Sequence, residues 1–293
     1  MKKLHFFISV LIVLFIVPIK SGAQEKSTAD STVKYPMKEE SYGLISTSYN
    51  NDIVFLGRKS SLKAPYITAQ AGFYHKSGLF INGAVSYLAS SAEKRIDLFT
   101  PTVGYDFYWK KFSTGISVAK YFYNNKSYTS KSALAGSLNV YADYNFDIVE
   151  VYVNSAAYFS NTTDFILGLG VSHTFYTAGD NLKFIPSVYL NAGTQNYYGN
   201  YSNNNRFGRH MLDGGSSGSI RTGMMGGSGF NVLDYELSIP VSYTLNKFQF
   251  SFIPVFAIPV NAAIITNNQN TYKEDITNNF FWSLDLRYKL SKL

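Results

Sequence analysis

The run Phe280-Phe281-Trp282-Ser283-Leu284-Asp285-Leu286-Arg287-Tyr288-Lys289-Leu290 decides the fold. Phe280, Trp282, Leu284, Leu286, Tyr288 and Leu290 share one parity, while Phe281, Ser283, Asp285, Arg287 and Lys289 share the other. A repeat of two puts these sets on opposite faces of a β-strand. One face is then almost wholly apolar and the other carries charge, which suits a wall with hydrocarbon outside and a polar lumen inside.

Working outward, the same alternation recurs. Leu233, Tyr235, Leu237, Ile239, Val241 and Tyr243 oppose Asp234, Glu236, Ser238 and Ser242. Leu134, Leu138, Val140 and Tyr144 oppose Ser137, Asn139, Tyr141 and Asp143. Reading each such stretch between turn residues predicts about twelve strands: 42–57, 65–75, 79–89, 96–109, 112–123, 133–145, 148–160, 164–176, 183–197, 231–245, 248–262 and 279–290. An even number suits a bacterial barrel, and short joints at 75–78, 110–111, 145–147, 177–181 and 245–247 fall at every second junction. Most of the others are longer, notably 124–132, 200–230 and 264–277, although 161–163 is short. The expectation is an all-β transmembrane antiparallel barrel over residues 41–293, with short periplasmic turns and a long extracellular loop at 200–230. Tyr105, Phe107, Tyr108 and Trp109, and Tyr121, Phe122 and Tyr123, are candidates for interfacial girdles. A soluble β-sandwich also alternates, but it leaves the second face and the uniform strand length unexplained.

Composition agrees. Of 293 residues 17% are aromatic and only 15% charged, against about 25% charged in a soluble domain. Mean hydropathy is −0.06, so apolar residues are interleaved with polar ones and not gathered into a helical span. Residues 1–23 read as a cleavable signal peptide: Lys2 and Lys3, an apolar stretch from Phe6 to Pro18, then Ser21-Gly22-Ala23. Residues 24–40 read as a flexible periplasmic lead-in, and the location expected is the bacterial outer membrane. Losing Lys2, Lys3 and Lys20 takes Lys+Arg from 26 to 23 against 19 Asp+Glu, so the net charge falls from +7 to +4, too little to imply nucleic acid. With no cysteine, disulfides, thiolate chemistry and lipoprotein anchoring are excluded.

On Asp52-Ile53-Val54-Phe55-Leu56-Gly57-Arg58, the Tyr74-His75-Lys76-Ser77-Gly78-Leu79-Phe80 hairpin and Gly104-Tyr105, the chain resembles the uncharacterised outer-membrane β-barrel proteins of Bacteroidetes-type bacteria. The resemblance spans most of the chain after the first segment and implies location and fold, with no catalytic residues to carry over. The last strand looks like an assembly signal for the outer-membrane insertion machinery, although it ends Ser291-Lys292-Leu293 and not on an aromatic residue.

Chemistry is sparse. His5 leaves with the first segment, His75 falls in a turn, His173 shares the alternation of Leu167, Leu169 and Val171, and His210 lies in the long loop. The His-x-Ser-Asn-Gly run associated with outer-membrane phospholipases is absent, which leaves a lipid hydrolase the weakest reading. No catalytic group, metal site or cofactor is expected. Asp106, Asp143, Glu150, Glu236, Asp285, Arg287 and Lys289 are candidate lumen-lining residues, with Lys120 a further candidate. They serve either to select permeating solutes or to pair and fill a closed interior. The glycines of 214–229 match no phosphate-binding spacing, and Arg206, Arg209 and Arg221 are candidates for contacting lipopolysaccharide. Pro240, Pro254 and Pro259 stand inside predicted strands, so strand 248–262 is expected to be bent or incompletely paired. The chain thus reads as a non-enzymatic barrel, a small passive channel first, with a plugged structural or ligand-binding barrel acting through its loops as the alternative.

Overall fold

A computed structural model describes residues 40–59, 63–91, 93–127, 133–177, 179–197, 223–225, 229–266 and 271–291. The expected segment 1–23, all of the expected lead-in 24–40 except Glu40, and Arg206, Arg209, His210 and Arg221 lie outside them.

The alternating stretches become twelve antiparallel staves of one closed barrel. The first six are β1 (Tyr42–Asn50), β2 (Tyr66–Tyr74), β3 (Leu79–Ala89), β4 (Lys94–Trp109), β5 (Phe112–Lys120, resuming at Phe122–Tyr123) and β6 (Gly136–Asn145). Then come β7 (Glu150–Phe159), β8 (Thr163–Ser172, resuming at Phe175–Tyr176), β9 (Leu182–Phe184, then Ser187–Gly193) and β10 (Asn231–Ser238, then Val241–Leu245). Last are β11 (Phe248–Pro259) and β12 (Asn279–Ser291). Each stave pairs with its sequence neighbours, and β1 closes on β12 from Tyr42↔Ser291 to Asn50↔Ser283. Closure satisfies every edge, which is what a strand bundle in hydrocarbon needs.

The outer face is apolar. Ile81, Trp109 and Phe280 are each about three-fifths exposed, and many other aliphatic and aromatic side chains of the staves are exposed as well. In water this would be an aggregation surface, whereas in lipid it is the solvated one. No helix among the described residues is long and apolar enough to cross a membrane. Phe107 and Trp109 face outward at the short-turn end, but Tyr108 points inward, its hydroxyl 3.3 Å from Asp106. Phe122 faces outward, while Tyr121 and Tyr123 share the inner face with rings 6.2 Å apart. Parity decides these assignments, so a run of aromatics does not all belong to a girdle.

The incomplete pairing expected of strand 248–262 is found on one side of it only, and breaks extend from there into the neighbouring staves. β11 is continuous and paired with β12 from Phe248↔Tyr288 to Ala257↔Asn279, but toward β10 its pairing is interrupted at Ile253-Pro254, between Val241↔Phe252 and Ser238↔Val255. The breaks lie beside it, at Ile239-Pro240 in β10, Ile185-Pro186 in β9 and His173-Thr174 in β8. Pro240 and Pro186 lack an N–H to donate, yet single bonds bridge the seam, Ile185 N–H to Pro240 O at 2.9 Å and His173 N–H to Pro186 O at 3.2 Å. The wall is kinked along a line and stays closed.

Candidate functional site

The inward faces divide into two storeys. Toward the short turns, the candidate polar residues lie along the lumen side of the staves. Asp106 accepts the hydroxyl of Tyr141 at 3.0 Å and that of Tyr108 at 3.3 Å. Asp143 is buried and accepts the Ser113 hydroxyl. Glu150 opens β7 beside Asn145, and Glu236 lies opposite Tyr189. Asp285 stands between Ser48 and Ser251, and Arg287 between Ser46 and Gln249. Lys289 places its ammonium 4.5 Å over the Tyr42 ring. Lys120 does not join them: it is exposed on the outer parity of β5, opposite Gly136.

Close ring packing makes this storey smooth. The Tyr141 ring lies against Gly115, where an added Cβ would stand 2.5 Å from Cε1, and the Tyr189 ring lies against Gly170, where it would stand 2.3 Å away. Only glycine permits that approach.

The opposite storey is filled by the chain itself. β1 ends at Asn50, seven residues short of the strand expected from sequence, and residues 51–59 turn into the barrel. Val54–Phe55 pairs with Arg58–Lys59 in a hairpin whose two-residue turn, Leu56-Gly57, has φ of +51° and +73°. Positive φ at both positions is the twist a tight hairpin needs, but for leucine it costs about 1–2 kcal/mol. Leu56 is kept there by burial, which contributes about 1.5–3 kcal/mol for a side chain of its size. A lone hairpin is marginal in water, so its support comes from the wall.

Phe55 reaches the far side. Its ring sits 5.3 Å from Tyr158 and 5.0 Å from Tyr197, both edge-on. Tyr158 belongs to β7, six staves from β1 in either direction, so Phe55 crosses the lumen. Phe55 and Leu56 pack with Leu134, Ala156, Ile166, Tyr197, Leu233 and Ala263 in one apolar cluster. Two of these overturn their sequence reading. Leu134 precedes β6 and turns into the cluster, and Leu233 is the unpaired residue of a bulge, since Asn191 pairs with Asp234 and Ala192 with Val232. The bulge turns Leu233 inward beside Asp234.

Arg58 pins the hairpin. It is 3% exposed and uses all five of its N–H donors: Nε to Glu274 at 3.2 Å, Nη1 to the carbonyls of Leu56 (3.1 Å) and Leu233 (3.5 Å), and Nη2 to those of Val260 (3.4 Å) and Asn261 (3.1 Å). Glu274 also accepts the Ala263 N–H at 2.9 Å. The Asn279 amide donates to Gly57 O at 2.7 Å, and an added Cβ on Gly57 would lie 2.8 Å from Asp234 Cβ and 2.9 Å from Pro259 Cβ. Opposite, Asp164 accepts Thr194 Oγ1, Asn196 N and Tyr197 N, each at 2.7 Å. Burial pushes the Tyr197 hydroxyl pKa well above its usual value, keeping that ring neutral inside the plug.

Arg58, Glu274, Asp164 and Asp234 were not singled out by the sequence reading as site residues, although Arg58 closes the 52–58 run that carries the family resemblance. A lone arginine after Leu-Gly in an apolar run was the available signal. Among the described residues no three His, Asp or Glu side chains are grouped to hold a metal. His75 makes a 2.9 Å bond to Ser77 inside an exposed turn, and His173 bonds the carbonyl of Ile148.

No protein-family model and no curated protein sequence matches the chain. Solved structures with similar architecture include the KdgM porin, 9% identical with a TM-score of 0.44, covering 84% of this chain and 98% of the porin. The NanC porin is 10% identical with a TM-score of 0.47 (84% and 100% covered), and an outer membrane channel from Pseudomonas putida F1 is 11% identical with a TM-score of 0.43 (85% and 95% covered). The barrel assignment here rests on the strand pairing itself.

Proposed function

We propose that this protein is a non-enzymatic outer-membrane barrel that passes ions or small solutes passively, with its first loop as the constriction. The observation that carries the reading is Phe55 meeting Tyr158 across the lumen, above a chamber lined by charged and hydroxyl-bearing side chains. A barrel built only to stiffen an envelope has no use for a hairpin docked by a single buried arginine. Porins and channels among the architecturally similar proteins are in keeping with this reading. On it, the short turns are periplasmic, the hairpin after β1 enters from outside, and residues 1–23 direct export and are removed. Membership of the Bacteroidetes-type family, insertion by the outer-membrane assembly machinery and contact with lipopolysaccharide belong to the same proposal.

The apolar cluster also favours a second reading, a barrel plugged in its resting state that acts through its outer loops. Swelling of proteoliposomes in a series of sugars and amino acids separates the two. Uptake that falls with solute size supports a constricted channel; impermeability to glycine and arabinose, with insertion verified, means a plug.

A further inference from the structure

We propose that the small outer sheet of Gly223–Met225, Ile264–Thr266 and Thr271–Lys273 is the latch of the first-loop plug. While the sheet stays paired, Glu274 is held on Arg58; when the long loop's strand parts from it, the hairpin is free to leave its seat. The inference deepens the channel reading and rests on it for what release achieves.

One carboxylate joins the two parts. Ile264 pairs with Lys273 and Thr266 with Thr271, and the ladder continues into Ala263 and Glu274, whose N–H donates to Ala263 O at 2.8 Å. Glu274 Oε2 then accepts two donors, the Ala263 N–H at 2.9 Å and Arg58 Nε at 3.2 Å. The foot of the outer strands and the pin of the plug therefore meet on a single oxygen. Both ends of the same loop grip the hairpin as well: Arg58 Nη2 donates to Val260 O and Asn261 O, and the Asn279 amide donates to Gly57 O. Separating a buried ion pair is costly, so arginine and carboxylate keep together for as long as the loop holds its place. What holds the loop is the third strand, since Gly223 pairs with Thr266 and Met225 with Ile264. A contiguous set of hydrogen bonds thus runs from the long outer loop to the lumen.

The seat is also poised for release. Gln195 Oε1, Asn279 Oδ1 and both oxygens of Asp234 are buried with no hydrogen-bond partner among the described residues. All three side chains adjoin the hairpin. Gly57 packs on Asp234 Cβ, Asn279 bonds Gly57, and Gln195 Nε2 reaches Asn261 O, the carbonyl Arg58 also uses, at 3.4 Å. Buried acceptors without donors burden the docked form alone, because departure of the hairpin lets water reach them. The clamp at Glu274 opposes that departure, so the sheet that positions Glu274 controls it.

The test uses the full-length protein, which has no cysteine of its own. Met224→Cys/Ile265→Cys and, one step along the ladder, Gly223→Cys/Thr266→Cys each place opposed thiols across the sheet. Of two adjacent antiparallel pairs one is the non-hydrogen-bonded kind, whose side chains lie closer, and the pair that oxidises is used. In detergent micelles, deuterium exchange at the Phe55–Lys59 amides is expected to slow about tenfold or more on oxidation and to recover on reduction, with the β6 and β7 amides unmoved. Adding Glu274→Gln is expected to abolish that response, and Arg58→Lys serves if the glutamine variant does not fold. In planar bilayers, oxidation is expected to make openings about tenfold rarer. Equal exchange in the oxidised and reduced forms, or a response that survives Glu274→Gln, overturns the inference while conductance keeps the channel reading. An exchange response in a barrel that never conducts removes the channel reading and leaves the latch.

Discussion

At the scale of single residues, the account turns on Gly57 and Arg58. Gly57→Ala meets two obstacles, a φ of +73° and atoms at 2.8 and 2.9 Å, so the hairpin is expected to leave its seat. Trypsin should then cut after Arg58 or Lys59 in the folded variant and spare the wild type; equal resistance would mean the turn adapts. Arg58 predicts a larger effect. Removing one partner of a buried ion pair leaves the other uncompensated, at about 3–5 kcal/mol. The chain has no cysteine, so Ala263→Cys, in the buried cluster at 1% exposure, gives a clean reporter. Arg58→Met should raise its thiol-labelling rate about a hundredfold, the ratio corresponding to about 3 kcal/mol. Glu274→Gln should do likewise, and the double variant should cost less than the two singles added together. Arg58→Lys should rescue poorly, because one ammonium cannot reproduce five donors in a planar fork. Unchanged labelling in every variant would show that the apolar cluster alone holds the loop.

Among elements, the seam of broken staves makes its own prediction. Backbone amides at Thr174 and Ile239 should exchange with deuterium faster than those along β11, whose ladder with β12 is continuous. Uniform slow exchange through all four staves would mean the prolines leave no local weakness. The staves themselves were legible because period two and turn residues are local properties that each segment carries unaided. That is why the stretch from Phe280 to Leu290 and the short joints read true. What escaped depends on the inside of the finished barrel. Asp52 to Leu56 continues the pattern of β1 well enough to read as more strand, and nothing local says the lumen mouth needs filling. Leu134 and Leu233 have the parity of lipid-facing residues, but one precedes its stave and the other sits in a bulge. Lys120 has the charge of a lumen residue and the parity of the outer wall, and parity wins. Asp106 and its neighbours could be placed on a face from sequence, whereas the tyrosine platform they join required the glycine contacts of adjacent staves.

For the whole molecule, the barrel holds two environments in series: a polar chamber lined by carboxylates and tyrosines, and an apolar plug built around the hairpin of the first loop. On the proposed reading, the wall supplies rigidity and the first loop supplies the narrowing. The measurement that tests this most directly is single-channel conductance in planar bilayers of the full-length protein beside a variant in which residues 52–64 are replaced by a short Gly-Ser linker. The account predicts small or rare openings for the native chain and a conductance several-fold larger for the variant, restored to the native level by no other loop. Equal conductance in the two, or silence from a variant whose insertion is verified, would contradict the claim that the first loop is the constriction of an otherwise open barrel.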